Sequence, residues 1–101
     1  MITFVSVFTV IPEKQPDALR AIQKVYNEVA IHHPGFISAQ LLPSDDGNRV
    51  TAIAHWESEE DLKAMRNTPE FTELHDRDFL PTIVGNDGHL YSHSVAIKRV
   101  L

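Results

Sequence analysis

A strand that runs directly into a capped helix constrains this chain more than any other stretch. Residues Arg49 to Trp56 carry Val50, Thr51 and Ile53, which favour extended backbone, and Trp56 closes the run. Ser58 follows as an N-cap. Glu59, Glu60 and Asp61 then place negative charge on the first turn, where the helix dipole welcomes it. Asp61 stands where a capping box has Glu or Gln, so the box is imperfect. Thr68-Pro69-Glu70-Phe71 repeats the signal, with a Thr cap, Pro at the first helical position and Glu next. Two short helices are expected between Ser58 and about Asp76.

The rest of the chain fits around that unit. Ile2 to Ile11 is rich in Val, Phe and Thr and reads as a strand. Both of its faces, Thr3-Val5-Val7-Thr9 and Phe4-Ser6-Phe8-Val10, are largely apolar, so it should be central and covered on both sides. Pro16 opens a helix with Asp17 in its first turn. Ala18, Leu19, Ile22, Val25, Tyr26 and Val29 recur at helical spacing, and His33-Pro34-Gly35 stops the run. Phe36 to Leu42 and Arg49 to Trp56 form a hairpin across the turn residues 43–48. After the two short helices, Leu80-Pro81 and Gly85-Asn86-Asp87-Gly88 read as an irregular return. His89 to Val100 reads as a long last strand.

The order is β-α-β-β-α-β, the ferredoxin-like α+β arrangement, in a single domain spanning residues 1–101. Its antiparallel sheet has both helices on one face. Nothing remains in the chain to cover the other, which would leave an apolar patch of roughly several hundred Å2. A two-fold homodimer packed sheet to sheet is therefore expected, with the last strand reaching across.

Composition narrows the classes of function. The net charge is −5, from 9 basic and 14 acidic residues, with no basic patch or basic helix, which argues against nucleic acid and anionic membrane surfaces. No cysteine is present, so disulfides, thiolate metal sites and a Cys nucleophile are excluded. The simplest compartment is the reducing cytoplasm. The chain opens on a strand with neither basic n-region nor long apolar run, so neither signal peptide nor membrane span is expected. No phosphate loop, nucleophile elbow or zinc motif occurs.

The candidate site residues follow from position. Ala52 and Ala54 share the strand face of Trp56, and two small side chains beside a Trp leave room for a cavity on the helix side. His75 has two readings: a helix-end residue favoured by the dipole, or a pocket base, since imidazole titrates near neutral pH. His89, Tyr91 and His93 alternate on one face of the last strand. Two His four residues apart on a strand lie about 13 Å apart, too far to share a metal, so this face belongs to a dimer contact or pocket mouth. His55 points away from Trp56, towards the expected dimer side. His32-His33 and Asp45-Asp46 read as a helix end and a turn, and Arg66 and Arg77 as solvated helix charges or partners of a substrate anion.

Pro34-Gly35-Phe36 before the second strand, His55-Trp56-Glu57-Ser58, Leu62, and Phe71 through His75 together resemble the antibiotic biosynthesis monooxygenase domains of the dimeric α/β-barrel superfamily. The resemblance implies a homodimeric barrel with a pocket between sheet and helices. It also implies oxidation of an electron-rich aromatic substrate by O2 without metal or flavin, the substrate anion supplying the electrons. Trp56 matches the strand-end Trp that lines the pocket in that family, and an Asn four residues before it is here Ala52. The superfamily's haem-degrading branch uses the His that ends Phe-x-x-x-His, here His75. That branch also has a Trp nine residues after the strand-end Trp, here Met65, and an Asn on the first strand, near Val7 or Phe8, where nothing polar stands.

The expectation is therefore a cofactor-independent monooxygenase acting on an aromatic polyketide- or quinol-like substrate, with His75 and Trp56 catalytic. Ala52, Ala54, Arg66, Phe71, Tyr91 and His93 are the substrate-binding candidates. Two alternatives remain: a haem-binding or haem-degrading protein using His75, and a non-oxidative isomerase or binding domain, which the Ala at position 52 favours.

Overall fold

The computed structural model describes residues 1–100. Its elements are β1 (Ile2–Val10), α1 (Gln15–Glu28), β2 (Phe36–Pro43), β3 (Arg49–Trp56), α2 (Glu59–Arg66), α3 (Pro69–Leu74) and β4 (Ile83–Tyr91). They form one antiparallel sheet in the order β2-β3-β1-β4. The β-α-β-β-α-β reading holds, with the second helix broken into α2 and α3. The sheet is open, and β2 and β4 are its edges.

The two caps work as the sequence indicates. Ser58 Oγ accepts from the Asp61 backbone N–H at 3.1 Å and donates to the Asp61 carboxylate at 2.9 Å. Thr68 Oγ1 accepts from the Phe71 N–H at 3.2 Å while donating to the Met65 carbonyl at 2.8 Å, which joins the end of α2 to the start of α3. Gly35 has φ +88°, and a Cβ there would lie 2.2 Å from the Asp61 carboxylate, so only glycine lets β2 begin against α2.

Register decides which face is covered. Phe4, Ser6 and Phe8 share a face with Ala52, Ala54 and Trp56 and with Asn86 and Gly88. This is the helix side, where Phe8, Val10, Ala18, Ile22, Val25, Val50 and Phe79 form one buried cluster. Val29, Ala30, Ala54, Trp56, Leu62 and Met65 form a second. Thr3, Val5, Val7, Thr51, Ile53 and His55 lie on the other face, which no helix covers.

The last strand differs from expectation at both ends. It begins at Ile83, so the Gly85–Gly88 stretch is strand, not turn, and it stops at Tyr91. The unpaired edge of β1 explains both. Thr9 to Ser6 pair with Gly85 to Gly88, and an irregularity between Thr9 and Val10 takes up Val84. Hydrogen bonding along a whole strand edge outweighs the local turn preference of Gly-Asn-Asp-Gly. Tyr91 pairs with Thr3, close to where β1 begins, so residues 92–100 have no strand to pair with in the same chain. None of the helices of the described residues is long and apolar enough to cross a membrane.

Phe79 is fully buried and meets Phe8 edge-on at 4.7 Å. Phe79→Ala should cost about 3–5 kcal/mol in urea unfolding with an unchanged denaturant slope, and Ser58→Ala about 1 kcal/mol. A Phe79→Ala loss below about 1 kcal/mol would contradict this packing.

Candidate functional site

Between sheet and helices lies a cavity of about 400 Å3. Its floor is Phe4, Ser6 and Phe8 of β1, Ala52 of β3, and Asn86 and Gly88 of β4. Its roof is Val25 and Tyr26 of α1, Leu62, Met65 and Arg66 of α2, Phe71 of α3, and His75. The floor is hollow because its side chains are small. Ala52 and Ser6 face each other across β3 and β1, and Gly88 pairs with Ser6 on the other side. A Cβ on Gly88 would come within 2.8 Å of the Phe4 ring and 3.1 Å of Ser6 Oγ. Asn86 and Gly88 are exposed, so the cavity opens along the β4 edge.

His75 owes its position to a ladder of rings. After α3 the chain makes a wider, π-type turn over His75–Phe79. Such turns are often found at functional sites because they re-aim a side chain. Phe71, His75 and Phe79 stand four residues apart. The Phe71 and His75 rings stack at 4.9 Å, and His75 meets Phe79 at 5.5 Å. Phe79 in turn abuts Phe8. The imidazole is thus held by aromatic contacts on two sides.

Its Nδ1 lies 3.1 Å from Asp76 Oδ1. An ionised carboxylate only accepts, so Nδ1 carries the proton and Nε2 keeps its lone pair in the neutral ring. Nε2 is then the atom able to take a proton.

Arg66, the last residue of α2, lays its guanidinium over the Phe4 ring at 4.3 Å. It is the one permanently charged side chain in the lining. Among the described residues no carboxylate pairs with it. Burial lowers its pKa from the ordinary guanidinium value, yet it stays charged. Burial pushes the Tyr26 phenol up to about 12, opposed by the nearby Arg66 charge. Tyr26 is therefore a neutral hydroxyl donor at working pH.

The sequence-predicted residues separate into three groups. His75, Arg66, Phe71 and Ala52 line the cavity together. Trp56 and Ala54 are buried behind it. Trp56 meets Phe36 edge-on at 5.2 Å and packs in the cluster with Leu62 and Met65, so its indole touches the back of the cavity wall and not the cavity. Its Nε1–H has no hydrogen-bond partner among the described residues. Tyr91 and His93 lie across the sheet, where they line a separate depression of about 460 Å3 with Thr3, Val5 and His55. The physical reason is parity: Tyr91 pairs with Thr3 and His89 with Val5, both on the uncovered face, and His93 follows where the strand has ended. On that face His55 Nδ1 lies 2.9 Å from Thr3 Oγ1, and His89 Nε2 2.8 Å from Asp87.

Sequence reasoning missed Tyr26, Ser6, Asn86, Gly88 and Asp76. Tyr26 hid in the apolar stripe of α1. Asn86 and Gly88 hid in a stretch with the composition of a turn. The Phe-x-x-x-His-x-x-x-Phe spacing was the available signal for the ladder. Among the described residues no group of three or more His, Asp or Glu is placed to hold a metal.

Comparison with known proteins agrees with this architecture. Residues 1–77 match the family model described as antibiotic biosynthesis monooxygenase. A curated relative, tetracenomycin-F1 monooxygenase of Streptomyces glaucescens, is 41% identical over 69 residues, which is 68% of this chain and 62% of the relative. The chain thus matches somewhat less than two thirds of that relative's length. Among solved structures, SnoaB, a cofactor-independent oxygenase from Streptomyces nogalater, superposes with a TM-score of 0.82 at 21% identity, covering 97% of each chain. A conserved protein from Methanosarcina mazei Go1 superposes at 0.78 with 17% identity, covering 89% of each. At these identities the structural matches establish the fold. With its family-model match over three quarters of the sequence, the chain belongs to the antibiotic biosynthesis monooxygenase family.

Proposed function

We propose that this protein is a cofactor-independent monooxygenase that oxidises an aromatic polyketide- or quinol-like substrate with O2. One observation carries the reading: a single imidazole, oriented by Asp76 and clamped between Phe71 and Phe79, lines a largely apolar cavity with room for an aromatic ring. The names of the tetracenomycin relative and of SnoaB support the same chemistry.

In this mechanism His75 Nε2 removes a proton from the bound phenol or enol. The resulting anion gives electrons to O2 and a carbon–oxygen bond forms. The O–O bond of that peroxide then breaks, one oxygen staying as the new carbonyl and the other leaving as water, with protons from His75 and the substrate carbon. Apolar walls exclude water from the anion once it has formed and keep it from being reprotonated by solvent. Ala52 and Gly88 leave the room, Phe71 stacks on the imidazole that acts, and Trp56 holds Leu62 and Met65 in place from behind.

The assembly belongs to the same reading. Val95, Ile97 and Val100 are 76%, 90% and 93% exposed, and Val5, Val7 and Ile53 lie on the uncovered sheet face. A second copy packed on that face about a two-fold axis would cover both, with residues 92–100 laid across the partner. Light scattering should give twice the 11.4 kDa chain mass, and removal of residues 92–101 should shift it to the monomer. A full-length monomer at micromolar concentration would sink the dimer.

Oxygen uptake with anthrone and naphthalenediol substrates tests the chemistry. His75→Ala should lower kcat by about 10²–10⁴-fold, and Trp56→Phe by less. Unchanged turnover in both variants would end this assignment. His75 facing the cavity is also what a haem protein would use, so haem is titrated in parallel. A Soret band lost in His75→Ala would replace the cofactor-free reading with the haem-binding one.

A further inference from the structure

Arg66 has no function in the proton transfer just described, yet it is the one permanently charged side chain in the cavity wall. Its guanidinium is partly removed from water, faces the cavity and has no carboxylate partner among the described residues. A buried charge is ordinarily paired or hydrogen-bonded, because leaving water costs free energy that only a partner returns. The Phe4 face offsets part of that cost. Tyr26 adds a second donor and no negative charge. The protein carries −5 overall, so a lone cation here is not a consequence of a generally basic surface. Guanidinium and phenol together form a donor pair without an acceptor.

The register of β1 separates this pair from the imidazole. Arg66 stacks on Phe4, whereas His75 reaches the sheet through Phe79 at Phe8. Phe4 and Phe8 are four residues apart on one face of a strand, about 13 Å along it. The guanidinium and the imidazole are thus tied to different residues of β1, which leaves Arg66 open to an anion other than a phenolate formed at His75.

We infer that the cavity takes an aromatic ligand bearing a fixed carboxylate, held by Arg66 with Tyr26 at the end remote from the hydroxyl that faces His75. A planar guanidinium matches a carboxylate with two parallel hydrogen bonds, and one cation in an apolar wall suits a monoanion better than a phosphate dianion. This rests on the cavity being the substrate site, and it adds the charge and the polarity of the substrate.

The test is a fluorescence titration of the full chain with 6-hydroxy-2-naphthoate and, separately, 6-hydroxy-2-naphthamide, which share shape and differ in charge. The wild type should bind the carboxylate about tenfold or more tightly than the amide, as a charge-assisted hydrogen-bonded pair gives. Arg66→Met keeps the apolar stem over Phe4 and should bring the two within about twofold of each other, with thermal unfolding confirming that it folds. Lys63→Met, one turn away and exposed, should keep the preference. Equal binding of both probes by the wild type, a preference that survives Arg66→Met, or no binding of either probe at about millimolar concentration would each overturn the inference. Oxygen uptake from a neutral naphthalenediol is measured beside it. Its presence without the carboxylate preference removes this inference and leaves the monooxygenase reading. The preference without oxygen uptake does the reverse.

Discussion

Strand β1 is hydrogen-bonded along both edges, to β3 on one side and β4 on the other, and the rest of the molecule depends on that double pairing. It sets which residues face the helices. Because side chains alternate strictly, the choice that buries Phe8 and Val10 also aims Phe4 and Ser6 at the helices and Thr3, Val5 and Val7 away from them. The floor of the cavity and the bare face of the sheet are thus one decision. A shift of a single residue would exchange them.

The cavity persists because small residues are placed where the three strands meet. Ala52, Ser6 and Gly88 lie side by side in register, and the helices bridge over them on larger neighbours. Close packing normally erases such a hollow. Here the roof cannot descend, because Phe71, His75, Phe79 and Phe8 form a continuous line of ring contacts that props the end of α3 against β1. That line also fixes the imidazole, so one set of contacts holds the room open and positions the group that acts in it.

The electrostatics of the site run against those of the whole. The surface carries an excess of carboxylates, while the cavity holds one guanidinium, one phenol kept neutral by burial and one imidazole turned by Asp76. Each of these groups comes from a different element: α2, α1 and the turn after α3. Their convergence is a property of how the helices cross the sheet.

Local chemistry determined much of the architecture in advance. Ser58 and Thr68 marked the helix starts, β-branched residues marked β1 and β3, and the spacing of Ala18, Ile22 and Val25 marked the buried stripe of α1. These signals are legible because they act over three or four residues. The match of Phe71 and His75 to a family pattern likewise brought two cavity residues into view, with Ala52 flagged by its size. Only the tertiary structure decided that Gly85–Gly88 is strand, that Tyr91 and His93 belong to the far face, and that Trp56 stands behind the wall. It alone brought Tyr26, Asn86 and Arg66 to one space. The reason is the same in each case: these outcomes depend on an unpaired strand edge, on pairing register and on helix placement. Those are long-range quantities that no window of neighbouring residues contains.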